Sequence, residues 1–215
     1  MDDSIKKIYD GVINGDQKTV TEQVQAALTA GIDPSTILNE GMIAAMSEVG
    51  RLFECGEYYV PEMLIAARAM KAGLGLLRPK LAAANVQAVG KVVIGTVQGD
   101  LHDIGKNLVA MMLEGAGFEV IDLGIDVPPR KFVEAVKEHK PQFVGLSALL
   151  TTTMPMMKMT MDALAEANVR RAVKVMIGGA PVTERYAREI GADSYSPDGS
   201  SAARRAKEAL GAARS

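Results

Sequence analysis

The chain contains no tryptophan, only 4% aromatic residues and a single cysteine, Cys55. One cysteine excludes an internal disulfide framework and fits a reducing compartment, so a cytoplasmic location is expected. No uninterrupted apolar run approaches the ~18 residues of a membrane span. The N-terminal stretch MDDSIKKIYDG has neither the basic n-region nor the apolar h-region of a secretion signal. There is no excess of positive charge either: 24 Lys and Arg stand against 26 Asp and Glu, a formal charge of −2. That argues against nucleic acid as a partner. What is abundant is Ala, Val, Ile, Leu and 13 Met. Methionine is soft and adaptable, so the excess reads either as helix-core filler or as a compliant cover over a bulky ligand.

Two regions with different periods follow one another. Ile5, Ile8 and Val12 recur at helical spacing up to Asn14-Gly15-Asp16, and Val20, Val24, Ala27 and Leu28 mark a second helix. A third runs through Ile37, Met42, Met46, Val49 and Phe53. Pro61 is placed as the first residue of a fourth, carried by Met63, Ala67, Met70, Leu74 and Leu77. Four amphipathic helices with short connections predict a small bundle over residues 1–88. Residues 85–90 read as a linker. Beyond it, apolar β-branched runs at 92–97, 118–123, 142–147 and 173–177, with a weaker one at 192–195, alternate with helical patterns near 104–115, 129–139, 156–168, 182–190 and 199–211. Five such alternations over residues 89–215 predict an α/β domain, a doubly wound parallel five-stranded sheet of the flavodoxin-like or Rossmann-like class.

Ligands of such sheets bind beyond the carboxyl ends of the strands. After the first strand the chain reads Gly99-Asp100-Leu101-His102-Asp103-Ile104-Gly105. Asp100 can hold one ring nitrogen of His102, which fixes the tautomer and leaves the other nitrogen as a ligand or base. Gly105 permits close approach of a large group. The third strand ends in Ser147-Ala148-Leu149, followed by Thr151, Thr152 and Thr153, which offer hydrogen bonds without charge. The fourth ends in Gly178-Gly179, where missing side chains leave space, and Tyr195-Ser196-Pro197-Asp198-Gly199 follows the fifth. A slot lined by small and hydroxyl residues is predicted, with His102 at its mouth. The Gly99–Gly105 segment lacks the glycine spacing of a dinucleotide fold and the Lys-Ser/Thr of a phosphate loop. His139 and the basic stretch Arg204-Arg205-Ala206-Lys207 to Arg214 read as solvated helix faces, and Cys55 as structural. Met154 and Met157 are the methionines placed to reach the edge of a ligand.

Asp100-x-His102-x-x-Gly105, then 41 residues, Ser147-x-Leu149, then 28 residues, and Gly178-Gly179 resembles the corrinoid-binding signature shared by methionine synthase and the small corrinoid proteins of three-component methyltransferase systems. The earlier segment Gly50-Arg51-Leu52-Phe53, with Gly56 to Glu62 and Ala69-Met70, is similar to the helical cap of those proteins. The resemblance implies a cobalamin or related cobamide cofactor, methylated as an intermediate, with His102 as the lower ligand of cobalt. It implies that Asp100 holds that His, with Thr153 as the hydroxyl third member of the relay. It places Gly99, Asp100, Leu101, His102, Asp103, Ile104 and Gly105 against the cofactor. Ser147, Leu149, Thr151, Gly178, Gly179 and Gly199 would line the pocket of the displaced nucleotide tail. Phe53, Val60 and Met63 would cover the methyl-bearing face. Val60 stands where the family has Leu, which keeps the apolar role.

The activity so implied is that of a carrier, not an enzyme by itself. A substrate-specific methyltransferase would load a methyl group, from methanol, a methylamine, betaine or an aryl methyl ether. A second methyltransferase would pass it to tetrahydrofolate or a thiol, and a reductive activase would restore the carrier. The donor-selecting pocket would lie on the partner. Three rivals stand beside this reading. A corrinoid-dependent regulator would need a DNA-binding segment, and none is seen before Ile5. A mutase small subunit usually lacks the cap. A flavodoxin-like module without cobalt does not account for three motif parts in register.

Overall fold

The computed structural model describes residues 2–214, and the side chains of residues 212–214, including that of Arg214, lie outside the description. The chain divides into two compact units, Met1–Ala88 with Gly115–Gly117, and Val89–Glu114 with Phe118–Ser215.

The first unit is helical. Helix α1 (Asp3–Ile13) starts at Asp2, whose carboxylate accepts from the Ser4 amide, and α2 (Gln17–Thr29) starts at Asp16, which accepts from Thr19. Ile5, Ile8, Val12, Val20, Val24 and Ala27 form the buried stripes of these two helices. The third predicted helix is one continuous rod of three parts: α3 (Pro34–Thr36), a π-helical stretch Ile37–Ile43, and α4 (Ala44–Glu54). The step from Ile37 to Met42 is five residues, the span of an i→i+5 hydrogen bond, and both side chains are fully buried. Helix α5 (Val60–Ala83) begins one residue before the predicted Pro61, with Tyr59 as cap and the Glu62 carboxylate accepting from its amide. Proline tolerates the first turn because its missing N–H has no intrahelical acceptor there.

The second unit holds a wholly parallel sheet: β1 (Lys91–Thr96), β2 (Glu119–Asp122), β3 (Phe143–Ser147), β4 (Lys174–Gly178) and β5 (Ser194–Tyr195), in the order β2-β1-β3-β4-β5. That is the flavodoxin-like order. Strands lie within two residues of their predicted places. The helices are α6 (Ile104–Gly115), α7 (Pro129–His139), α8 (Pro155–Glu166), α9 (Glu184–Ile190) and α10 (Gly199–Arg214). Helix α9 starts later than the apolar pattern suggests, because Thr183 caps it and accepts from the Tyr186 amide.

The sheet buries two faces, and residues alternate between them. Val93, Val144, Leu146, Val175 and Ile177 pack with Phe132, Val136, Met157, Met161 and Leu164 of α7 and α8. Met157 is thus a core residue with no exposed surface, not the edge contact expected of it. The opposite face carries Thr96, Gly145, Ser147 and Gly178 at alternate positions. His139 is half-buried at the end of α7, and Cys55 is exposed. Among the described residues no helix is long and apolar enough to cross a membrane.

Candidate functional site

The strand ends of the second unit converge on one carboxylate. Asp100 follows β1 by four residues and is fully buried. Its Oδ1 accepts from the His102 amide at 3.1 Å and lies 2.9 Å from His102 Nδ1. Its Oδ2 accepts from the Leu149 amide at 2.8 Å, the Leu150 amide at 3.4 Å and the Thr153 hydroxyl at 2.7 Å. Burial pushes the Asp100 carboxyl up. The Thr153 hydroxyl, the Leu149 amide and the His102 amide and ring outweigh it and hold the group well below the usual carboxylate range. Asp100 is therefore ionised and can only accept.

That settles the tautomer of His102. With an ionised carboxylate at Nδ1, the neutral ring carries its proton on Nδ1 and its lone pair on Nε2. The imidazole side chain is half exposed, whereas its partner is not exposed at all. The backbone around it is fixed as well. Thr96 Oγ1 donates to the His102 carbonyl at 2.9 Å, and Asp126 accepts from the Gly99 amide at 2.7 Å. Asp126 also donates its own amide to the Asp100 carbonyl at 3.1 Å. Asp103 opens α6, accepting from the Asn107 amide and side chain. Lys106 is buried beside Asp122 and Asn107 and ties the first turn of α6 to the end of β2.

The surroundings of His102 are apolar and open. Leu101 is 68% exposed and Ile104 is 82% exposed, with Leu149 and Leu150 also exposed. Large aliphatic side chains so displayed mark a binding surface more often than chance exposure. A Cβ added at Gly105 would meet nothing within 4 Å, so this side of the loop is free. Thr151 is exposed, Ser147 half-buried.

The glycines at the other strand ends have sharper causes than expected. Gly179 does not open space: a Cβ there would sit 1.9 Å from the Ala148 carbonyl oxygen, and φ is +133°. It lets the β4 end pass close to the β3 end. A Cβ on Gly178 would lie 3.0 Å from the Ser196 carbonyl, and one on Gly199 would press on Met112 and Leu108 of α6. The three predicted cap residues belong to the helical unit: Phe53 is half-buried, Val60 exposed and Met63 fully buried.

The donor set fits a metal that brings its own ligands. Among the described residues no cluster of three or more His, Cys, Asp or Glu could hold a metal ion. The site offers one oriented imidazole in an apolar collar, and His102 would hold the metal of such a cofactor through its outer ring nitrogen.

Replacing Asp100 by Asn puts an NH2 group among donors, whichever way the amide turns. If its oxygen keeps Leu149 and Thr153, the NH2 faces His102, which must then carry its proton on Nε2 and lose the free lone pair. We expect Asp100→Asn to cost about 1–3 kcal/mol of stability and roughly 10–100-fold in metal-ligand affinity. Denaturant titration of the corrinoid-free protein checks the first. The depressed carboxyl of the natural protein contributes stability above about pH 4 that is lost as pH falls further. The Asn variant lacks this acid-side loss, and equal pH profiles would contradict the network.

Sequence reasoning brought Asp100, His102 and Thr153 together, as the structure does. It missed the amides of Leu149 and Leu150 and the supports Thr96, Asp126 and Lys106. Backbone donors leave no mark in residue identity, and Asp126 sits in an unremarkable loop.

Comparison with known proteins agrees with this geometry. A model of the B12 binding domain matches residues 90–206, and a second B12 binding domain model matches residues 4–78. The chain is 44% identical over 208 residues to trimethylamine corrinoid protein 1 of Methanosarcina mazei, with 96% of each chain covered. It is similar to a cobalamin-binding protein from Desulfitobacterium hafniense, with TM-score 0.79 and 34% identity over 95% of this chain and 97% of that one. It also matches a chain of the methanol:cobalamin methyltransferase complex from Methanosarcina barkeri, with TM-score 0.88 and 31% identity over 98% of this chain and 80% of that one. On the motif, the sheet order and these matches together, the chain belongs to the family of cobalamin-binding corrinoid proteins.

Proposed function

We propose that this chain is the corrinoid-carrying subunit of a methyltransferase system. The observation that carries the reading is the buried Asp100, which presents His102 Nε2 within an apolar collar. When bound, the corrinoid supplies a cobalt that takes up and gives off a methyl group. In this reading His102 is the lower ligand, and Asp100 with Thr153 sets its donor strength through the proton held on Nδ1. Leu101, Ile104 and Gly105 bear on the ring, beside Gly99 and Asp103, which shape the loop. Ser147, Leu149, Thr151, Gly178, Gly179 and Gly199 serve the nucleotide tail. In this reading residues 1–88 would act as a cap, with Phe53 and Val60 as the residues that would shield the reactive face from water, and residues 89–215 as the corrinoid-binding domain; Met63, expected beside them, has no exposed surface to offer.

The partners in this reading are a substrate:corrinoid methyltransferase, a second methyltransferase that passes the methyl group to tetrahydrofolate or a thiol, and a reductive activase. Relatives named for trimethylamine and dimethylamine make methylamines the first donors to test. The chain, loaded with cobamide and reduced under anaerobic conditions, is mixed with a methylamine:corrinoid methyltransferase and deuterated donor. Label is expected on the cofactor only when donor and methyltransferase are both present. Absence of label with methylamines, methanol, betaine and aryl methyl ethers, each with its own methyltransferase, would overturn the proposal.

A further inference from the structure

Among the described residues of the second unit, the Ser196 hydroxyl and the Arg205 Nε are buried without a hydrogen-bond partner. Ser196 is 7% exposed, and its hydroxyl makes no hydrogen bond. A buried hydroxyl left without a partner is destabilising, so such a group calls for an explanation. Its place supplies one. The strand pairs Thr96 with Ser147 and Ser147 with Gly178, and β5 runs in register with β4 through Ile177 and Tyr195. Ser196 is the next residue, and its amide donates to the Ile177 carbonyl at 3.1 Å. Tyr195 packs into the cluster formed with α7 and α8, so the alternation of a strand turns Ser196 to the opposite face. That face carries Ser147 and Gly178. Two hydroxyl residues thus flank a glycine, each about one strand spacing (~4.8 Å) from it.

We propose that the Ser196 hydroxyl is a specificity contact for the heteroaromatic base of the corrinoid's nucleotide tail, and that it favours a purine-type base over dimethylbenzimidazole. The inference rests on the tail reading given under the proposed function. Ser147 and Ser196 stand on opposite sides of Gly178, where the Ser196 carbonyl lies 3.0 Å from the place of a Cβ, so a base bound beside the glycine would meet a hydroxyl at each edge. A purine has nitrogen atoms on both edges of its bicyclic ring. Dimethylbenzimidazole has nitrogen on one edge and two methyl groups on the other, and those methyl groups cannot satisfy a hydroxyl. Ser196 can donate to or accept from a purine edge, which discharges the cost of its burial on binding.

The test measures affinity of the corrinoid-free full chain for three corrinoids: one with an adenine base, one with dimethylbenzimidazole, and one with no nucleotide tail. The variants are Ser196→Ala and Ser196→Thr, the latter keeping the hydroxyl. The natural protein is expected to bind the adenine form more tightly than the dimethylbenzimidazole form. Ser196→Ala should lower affinity for the adenine form by roughly two- to ten-fold, the worth of one neutral hydrogen bond, and leave the dimethylbenzimidazole form unchanged. Ser196→Thr should restore the preference. Thermal unfolding of the corrinoid-free Ala variant should be unchanged or higher, since no bond in the chain is lost. Equal effects of Ser196→Ala on both tailed forms, or none on either, would overturn the role of Ser196 while the tail reading stands. Equal affinity of all three corrinoids for the natural protein would overturn the tail reading itself.

Discussion

His102→Ala is expected to weaken corrinoid binding without abolishing it and to change the absorption spectrum of the bound cobalt. The imidazole is the one nitrogen ligand this site aims outward, and its loss should cost no less than the roughly 10–100-fold that follows removal of a supporting partner. The contacts proposed to the ring at Leu101, Ile104 and the Gly105 backbone, and to the tail at Ser147 and Gly178, remain in the variant. The protein therefore still takes up corrinoid in stoichiometric amount at high concentration. The fold should hold, because the His102 side chain is half exposed and makes one hydrogen bond, to Asp100. Titration followed by absorbance reads affinity and spectrum together. Identical spectra for the natural and variant proteins would remove His102 from the metal.

Gly179→Ala is the substitution expected to harm the fold most. The new methyl would stand 1.9 Å from the Ala148 carbonyl oxygen, a backbone atom held in the β3–β4 pairing, where the Ala148 amide donates to Gly178. The φ of +133° is one that a residue with a Cβ rarely adopts. Strain and overpacking together should cost about 3 kcal/mol or more, a large part of the roughly 5–15 kcal/mol of a typical domain. Gly105→Ala is the contrasting case. It stands in the first turn of α6 with open space at its Cβ position, so stability should be unchanged or rise by up to about 1 kcal/mol. Urea unfolding of the two corrinoid-free variants separates these outcomes, and similar midpoints would show that Gly179 is not held by close approach.

Much of the corrinoid-binding unit was legible because its signals are local. Buried parallel strands read as apolar β-branched runs, and the motif Asp100-x-His102-x-x-Gly105 falls where β1 gives way to α6. What escaped is of two kinds. The π-helical stretch over Ile37–Ile43 carries its own mark, the five-residue step to Met42, but a template of period 3.6 passes over it. The donors that fix the charge on Asp100 include two backbone amides, at Leu149 and His102, that any residue could supply. The glycine pair was assigned to empty space, whereas Gly179 is imposed by a neighbouring carbonyl. Close approach depends on the pairing of two strands whose partners lie 31 residues apart, Ser147 opposite Gly178, and on the path of the chain just beyond them. No single segment records it. Ser196 was read only as part of a small-residue run, because the face it occupies follows from the register of β5.

In the proposed function one oriented imidazole nitrogen of this chain, Nε2 of His102, binds cobalt. The most direct test is electron paramagnetic resonance of the cobalt(II) form, prepared with protein whose histidines carry nitrogen-15 in place of nitrogen-14. A histidine ligand predicts that the nitrogen splitting on each cobalt line changes from triplets to doublets with the labelled protein, and that it disappears in His102→Ala. Triplets that persist with the labelled protein would show a nitrogen from the corrinoid's own base on the metal and would contradict the account.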